Sequence, residues 1–381
     1  MTQKKLKIAI IAGEDSGDLL GSDLLTHLNK LEARIDFFGV GGDKLESAGL
    51  RLINSNKEFA IMGIAEVIKK LPKLLQLRKT IVQKILAEKP DIFIGIDAPD
   101  LNFPIEKKLK NHGIKIIHYV SPSIWAWRPK RARWISQLTD LVLTLFPFEP
   151  KYYHDLGGKA QFVGHPLAQS IELNIDKFKA KLALNLDSNK PVLAVLPGSR
   201  SNELKAHTDI FLKTALKLKQ EFKDLQIVSA NTNNTKIDYI QECADRIKLK
   251  IIILKDATEL LKAADLALLA SGTVSLEAML CKTPMVVGYK ISAITYSIVK
   301  TFNMMLLPYY SLPNVLFGGF LVSEVLQKKM TVENLYTELL KLSKEDVRLN
   351  MQSEFIRLHQ DLLSPDVNAA IAIQNFIKEC L

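Results

Sequence analysis

The sequence predicts an α/β protein made of two Rossmann-like, doubly wound parallel sheets. Three observations carry this expectation. Short apolar runs alternate with helical patterns, as parallel strands joined by crossover helices do. The alternation breaks near residue 164, gives way to a charged helical stretch over 167–190, and restarts at 191. At 381 residues the chain is too long for one ordinary core and suits two domains of roughly 200 residues each.

The elements follow in order. Residues 6–12 are almost wholly apolar and read as a buried strand. Gly13-Glu14-Asp15-Ser16-Gly17-Asp18 is a polar turn, and helical spacing runs over 19–31. Further strands are expected at 35–40, 92–96, 115–120, 141–145 and 161–163. The second series is expected at 191–196, 226–230, 250–254, 266–269 and 285–288. These divisions give a first domain over 1–166, a linker over 167–190 and a second domain over 191–350. Near the end, Ser364-Pro365-Asp366 has helix-start chemistry: serine caps, proline suits the first turn, and aspartate favours the positive end.

Composition excludes several classes. Hydrophobic residues at 48% and charged residues at 24% describe a folded, water-soluble chain. Cys243, Cys281 and Cys380 are odd in number and far apart, which fits neither a zinc site nor a disulfide framework, so a reducing compartment is expected. The first residues lack a signal-peptide pattern, and no apolar run reaches the ~18–20 residues of a spanning helix. A cytoplasmic protein is the expectation. The net charge of +10, from 51 basic and 41 acidic residues, suits nucleic acid, an anionic membrane or phosphorylated substrates.

Ligands of open α/β sheets bind beyond the carboxyl ends of the strands, and two such halves create a cleft. Functional residues are therefore expected just after strands. Leu196-Pro197-Gly198-Ser199-Arg200 offers a glycine for close approach and a permanent planar cation suited to phosphate. Ala270-Ser271-Gly272-Thr273 opens a helix whose free amides suit an anion. Glu277, one turn further on, suits ribose hydroxyls. Two such junctions in one half point to a nucleoside-diphosphate site. Neither matches the phosphate loop or the dinucleotide fingerprint, which argues against ATP-driven chemistry and hydride transfer. In the first half, Asp97 ends an apolar strand and suits a general base. Glu14, Ser16 and Asp18 suit a hydroxylated ligand. His118-Tyr119-Val120-Ser121-Pro122-Ser123-Ile124-Trp125-Ala126-Trp127-Arg128 concentrates aromatic and basic groups in one loop, where Trp127 and Arg128 are candidate ligand contacts.

Two more regions suit a membrane surface. Residues 62–89 interleave Lys69, Lys70, Lys73, Arg78, Lys79 and Lys84 with apolar residues at helical spacing, most of which an ordinary core face would also explain. Residues 302–310 form an apolar stretch suited to a buried loop or a lip for lipid chains.

Taken together, these runs resemble those of the lipid-A-disaccharide synthase family. Besides the His118–Arg128 segment they include the 13–18 turn, Met62-Gly63-Ile64-Ala65-Glu66-Val67, Gly95-Ile96-Asp97-Ala98-Pro99-Asp100 and Phe162-Val163-Gly164-His165-Pro166. The 196–200 and 270–273 junctions and Ser311-Leu312-Pro313-Asn314 complete the set, in family order across nearly the whole chain. The resemblance implies a GT-B glycosyltransferase needing no cofactor or metal. It implies an inverting condensation of UDP-2,3-diacylglucosamine with 2,3-diacylglucosamine 1-phosphate at the inner-membrane surface of a Gram-negative bacterium, with a homodimer among the oligomeric states left open. It implies Asp97 as base, Arg200, Glu277 and Asn314 on the donor side, and C-terminal helices over 351–381 packing back on the first domain. Asp15 and the greasy stretch before Ser311 depart from the family pattern. Other UDP-sugar enzymes of this architecture remain the nearest alternative. A nucleic-acid-binding protein lacks a recognised module here, and an inactive membrane adaptor would have no need of Asp97 and both junctions.

Overall fold

The computed structural model describes residues 5–31, 35–60, 67–127, 130–291, 308–363 and 368–380. The chain divides into two compact units, Met1–Pro166 with Ser364–Leu381, and Leu167–Leu363.

The first unit holds seven parallel strands: β1 (Leu6–Ala12), β2 (Ile35–Gly41), β3 (Arg51–Ser55), β4 (Ile92–Ile96), β5 (Lys115–Tyr119), β6 (Leu141–Thr144) and β7 (Ala160–Phe162), in the order β3-β2-β1-β4-β5-β6-β7. A strand covered on both faces must be apolar throughout, and β1 shows the consequence. Ile8, Ile10 and Ala12 join one core layer with the helices Asp15–Leu31 and Ala369–Cys380. Ala9 and Ile11 join the opposite layer with the helices Val67–Glu88 and Pro99–Lys110. In that layer Ile81, Val82 and Ile85 are core residues, so the lower part of the basic amphipathic region has an ordinary packing role. Residues 61–66 lie outside the described residues.

The second unit holds six parallel strands: β8 (Val192–Leu196), β9 (Gln226–Ala230), β10 (Ile252–Leu254), β11 (Leu266–Ala270), β12 (Met285–Tyr289) and β13 (Ser323–Leu326), in the order β10-β9-β8-β11-β12-β13. β3 and β13 were not anticipated. Both are edge strands, polar and only partly buried, so neither carries the apolar run that marks a central strand.

Two boundaries also differ from expectation. Residues 167–190, read as a linker, belong to the second unit. The helix Lys177–Ala183 packs on the helix Ala257–Ala263, and the Lys181 ammonium is buried against Asp265 at 2.8 Å. Its charges are partly structural, which composition alone does not reveal. Residues 351–362 also stay with the second unit, as the end of the helix Glu345–Leu362 that buries Met351, Phe355 and Leu358. From the expected C-terminal pair, the helix Ala369–Cys380 is the one that joins the first unit, through Ala369, Ala370, Ala372, Ile373 and Phe376.

Gly95 fixes how closely the helix Pro99–Lys110 approaches β4. A Cβ there would lie 2.3 Å from Glu106 Oε1 and 3.1 Å from Asn102 Cγ. Gly95→Ala should therefore lower stability by about 1–3 kcal/mol, the usual range for overpacking. Thermal unfolding of the two proteins checks it, and an unchanged midpoint would refute the tight approach.

Candidate active site

In each sheet the strand order reverses at one point: between β1 and β4 in the first, and between β8 and β11 in the second. Such switch points open a crevice at the carboxyl edge. Most of the candidate residues follow these four strands; Trp127 and Arg128 follow β5, and Asn314 lies in the helix Leu312–Phe317.

In the first unit, Asp97 directly follows β4. Asp97 and Ala98 both adopt left-handed backbone, with φ of 50° and 41°. Val120, after the neighbouring β5, has φ 81°. Three non-glycine residues in this region on adjacent strand ends are strained, and strain of this kind gathers at functional sites. Asp97 is partly exposed; Glu14, in the turn after β1, and Ser16, in the first turn of the helix Asp15–Leu31, which starts before the expected residue 19, are exposed.

Asp18 is different. It is buried, and its carboxylate accepts from the backbone N–H groups of Gly42 (2.6 Å), Lys44 (3.1 Å) and Leu45 (3.3 Å). It caps the start of the helix Asp43–Ser47 from another part of the chain. Asp18 thus has a structural role, three backbone amides binding its oxygens.

The aromatic loop after β5 divides in the same way. Trp125 is a core residue whose Nε1–H donates to Glu149 Oε1 at 3.2 Å, and Ser121 Oγ lies 2.7 Å from the Tyr153 hydroxyl. Burial pushes the Glu149 carboxyl up to about 8, against the pull of hydrogen bonds from the Phe146 amide and the Trp125 indole. Burial lowers His165, packed on the Phe146 ring at 5.5 Å, to about 4. Trp134 stands edge-on to Phe103 and is 38% exposed. Arg128 and the side chain of Trp127 lie outside the described residues.

In the second unit, one cavity of about 370 Å³ gathers Gly198, Ser199, Arg200, Ser271, Gly272, Thr273 and Glu277. The two junctions are chemically unequal. At the first, Glu203 already satisfies the amides of Ser199 and Arg200, at 3.1 and 3.2 Å. Gly198, at φ 122°, cannot be replaced freely, because a Cβ would sit 2.6 Å from Glu203 Cβ. At the second, the helix Thr273–Leu280 begins at Gly272 with no side-chain cap and no acidic residue in its first turn. Uncapped amides at a positive helix end attract an anion. Arg200 extends from the other junction with its side chain 83% exposed. Glu277 Oε2 accepts from Thr258 Oγ1 at 3.0 Å.

Asn314 does not line this cavity. It is fully buried, with Nδ2 donating to Val322 O (2.9 Å) and Glu324 Oε1 (2.8 Å). Its Oδ1 accepts from the amides of Leu321 (2.9 Å) and Val322 (2.8 Å). All four hydrogen-bonding positions of the amide are occupied within the protein, which gives Asn314 a structural role in this loop. Sequence reasoning missed Asn231, Thr232, Lys255 and Tyr289, which also line the cavity. They lie at or just beyond the ends of β9, β10 and β12, where the strand-end rule would have found them.

Solved structures share this architecture. The chain is similar to the UDP-GlcNAc 2-epimerase from Neisseria meningitidis bound to UDP-GlcNAc (TM-score 0.64, 13% identity, covering 98% of this chain and 100% of that one). It is also similar to CalG4, the calicheamicin glycosyltransferase (TM-score 0.55, 14% identity, covering 99% of each). At such identities the likeness establishes the fold, which is of the GT-B class. Sequence comparison is more specific. A family model described as lipid-A-disaccharide synthetase matches residues 8–372. The lipid-A-disaccharide synthase of Actinobacillus pleuropneumoniae serotype 3 (strain JL03) is 42% identical over 380 residues, 98% of this chain and 96% of the relative. That of Xanthomonas campestris pv. campestris (strain 8004) is 43% identical over 361 residues, 93% and 82% respectively. The chain belongs to the lipid-A-disaccharide synthase family, glycosyltransferases of lipid A biosynthesis.

Two outcomes test the buried carboxyl groups of the first unit. Asp18→Ala should destabilise the first unit by about 0.5–2 kcal/mol, as cap removals do, while leaving the KM for acceptor unchanged. A raised KM with an unchanged melting temperature would restore Asp18 to the ligand. For Glu149, the folded-state pKa of about 8 exceeds the ordinary 4.5, so the folded state binds the extra proton between those values. Its contribution is full below pH 4.5 and is lost as pH rises towards 8. Glu149→Gln should flatten the fall in melting temperature across that window, and an unaltered slope would refute the raised value.

Proposed function

We propose that the chain condenses UDP-2,3-diacylglucosamine with 2,3-diacylglucosamine 1-phosphate, giving the β-1′,6-linked disaccharide 1-phosphate and UDP. Membership of the family supports the reaction. The cavity that brings seven donor-side candidates together carries the assignment to this chain's own residues.

The acceptor 6-hydroxyl oxygen attacks the anomeric carbon of the donor sugar. As that C–O bond forms, the bond from the carbon to the phosphate oxygen breaks on the opposite face, which inverts the centre. Asp97 takes the hydroxyl proton. The leaving diphosphate's growing charge is met by Arg200, Lys255 and the uncapped amides at Gly272 and Thr273, arranged in advance of reaction. Glu277 receives the ribose hydroxyls. Gly198 and Ser199 form the wall beside Arg200, and Ser271 stands beside the helix end. Glu14 and Ser16 face the acceptor, with Trp127 and Arg128 assigned to it from the sequence. Asp18 and Asn314 support the loops from beneath.

Both substrates carry acyl chains, so the enzyme works on the cytoplasmic face of the inner membrane. The net charge of +10 and the exposed rings of Phe317, Phe320 and Tyr310 support that reading. No helix among the described residues is long and apolar enough to cross a membrane. Residues 292–307, which include most of the expected apolar lip, lie outside the described residues.

The test is incubation of purified protein, in detergent, with both substrates, following disaccharide and UDP by mass spectrometry. Asp97→Ala should lose about 10²-fold or more in kcat, within the usual contribution of a general base. Full activity in that variant would keep the reaction and reject the base. UDP binding without disaccharide formation would favour another UDP-sugar enzyme.

A further inference from the structure

Beneath Asp97 lies a polar cluster that the reaction as described does not use. Asn102, Glu106 and His118 are each fully buried. His118 Nδ1 lies 2.7 Å from Glu106 Oε1, and the Phe103 ring stacks on the imidazole at 4.6 Å. Asn102 and Glu106 are four residues apart on one face of the helix Pro99–Lys110, and both close on Gly95. Burying such groups is costly when pairing is incomplete. Among the described residues, Asn102 Oδ1, Glu106 Oε2 and His118 Nε2 have no partner. Apolar side chains would fill this space with less penalty, so stability does not account for the cluster.

The Asn102 amide supplies the other half of the argument. Its Nδ2 donates to the carbonyl of Asp97 at 2.8 Å and to that of Ile96 at 3.2 Å. These carbonyls flank the place where the chain turns left-handed at Asp97 and Ala98. For alanine that conformation costs about 1–2 kcal/mol, so something must hold it. Backbone bonds contribute, from Asp97 N to Tyr119 O and from Leu101 N to Ala98 O. Asn102 is the side chain that grips the Asp97 peptide itself. Fixing that peptide fixes the direction in which the Asp97 carboxylate leaves the strand.

We propose that Asn102 is a positioning residue for Asp97, on the same helix face as Glu106, whose carboxylate meets His118 of β5. The proposal rests on Asp97 as the base. A displacement near 1 Å in a reacting group costs about 10²-fold in rate. Asn102→Ala should therefore lower kcat by about 10- to 100-fold, with the KM of both substrates and the affinity for UDP little changed.

The experiment is a double-mutant cycle on the full chain with Asp97→Ala, Asn102→Ala and the double variant, each checked by thermal unfolding. If Asn102 acts through Asp97, the double variant is no slower than Asp97→Ala alone. A wild-type kcat in folded Asn102→Ala would overturn the proposal and leave the base standing. So would losses that multiply in the double variant. Full activity in Asp97→Ala would remove the base, and the proposal with it. Should Asn102→Ala not fold, Asn102→Asp takes its place in the cycle. It keeps the volume but sets a carboxylate against two carbonyls, and the same loss in kcat and the same lack of additivity are expected.

Discussion

A parallel sheet leaves backbone amides and carbonyls unpaired at its strand ends, and burial of those groups without partners is unfavourable. In this chain, carboxylates meet that requirement repeatedly. Asp91, Asp140 and Asp265 stand immediately before β4, β6 and β11. They accept from the amides of Lys7, Ile116 and Val192 on the adjoining strands, at 2.9, 2.8 and 2.8 Å. At the opposite edge, Asp18 takes three amides of the turn after β2, and Glu203 takes two of the turn after β8. Glu324 gathers the amides of Tyr310 and Ser311 together with the Asn314 side chain. Bonds of this charge-assisted kind are roughly twice as strong as neutral ones. What the carboxylates leave untied is then informative: the helix end at Gly272, and the exposed Glu14 and Ser16.

That division explains what the sequence could and could not reveal. The central strands were legible because a strand buried on both faces must be apolar, as β1, β4, β8 and β11 are. The edge strands β3 and β13 face that constraint only in part and resemble loops. Among the candidate residues, Gly198, Ser199, Arg200, Ser271, Gly272, Thr273 and Glu277, all chosen for strand-end position, line one cavity. Strand-end position could not separate Glu14 from Asp18. Glu14 just precedes the helix Asp15–Leu31 and Asp18 lies in its first turn, and the difference lies in whether a distant turn presents amides to them. The structural role of Asn314 was hidden for the same reason, since its partners at Val322 and Glu324 come from a neighbouring loop and strand. The crowding of aromatic residues in the segment after β5 also has a structural share, since the Trp125 indole serves the buried Glu149.

The chain crosses between its units twice, after Pro166 and after Leu363. Inside the second unit, both crossings lead to one buried lysine. Lys282 Nζ bonds Glu172 O and His359 Nδ1, each at 2.7 Å, and His359 Nε2 lies 2.8 Å from Ala168 O. Burial lowers Lys282 to about 8, and burial lowers His359 as well. Two basic groups facing one another without a carboxylate among these contacts make the pair tolerable only when one is neutral. The arrangement fastens the start of the unit to its last helix at a single corner.

Strain is distributed in a way that agrees with this picture. Of the non-glycine residues with left-handed backbone, Asn185, Lys248 and Lys282 end helices or begin turns, where that conformation is an ordinary stop signal. Asp97, Ala98 and Val120 instead follow the adjacent strands β4 and β5, and two of them carry no side chain able to compensate. Asp tolerates the left-handed region better than Ala or Val does, so the cost falls on the residues beside the candidate base more than on the base itself. A glycine at position 98 would relieve it and would also let the turn relax into other shapes. Retaining alanine, and fastening the turn with a buried asparagine, trades stability for a fixed carboxylate.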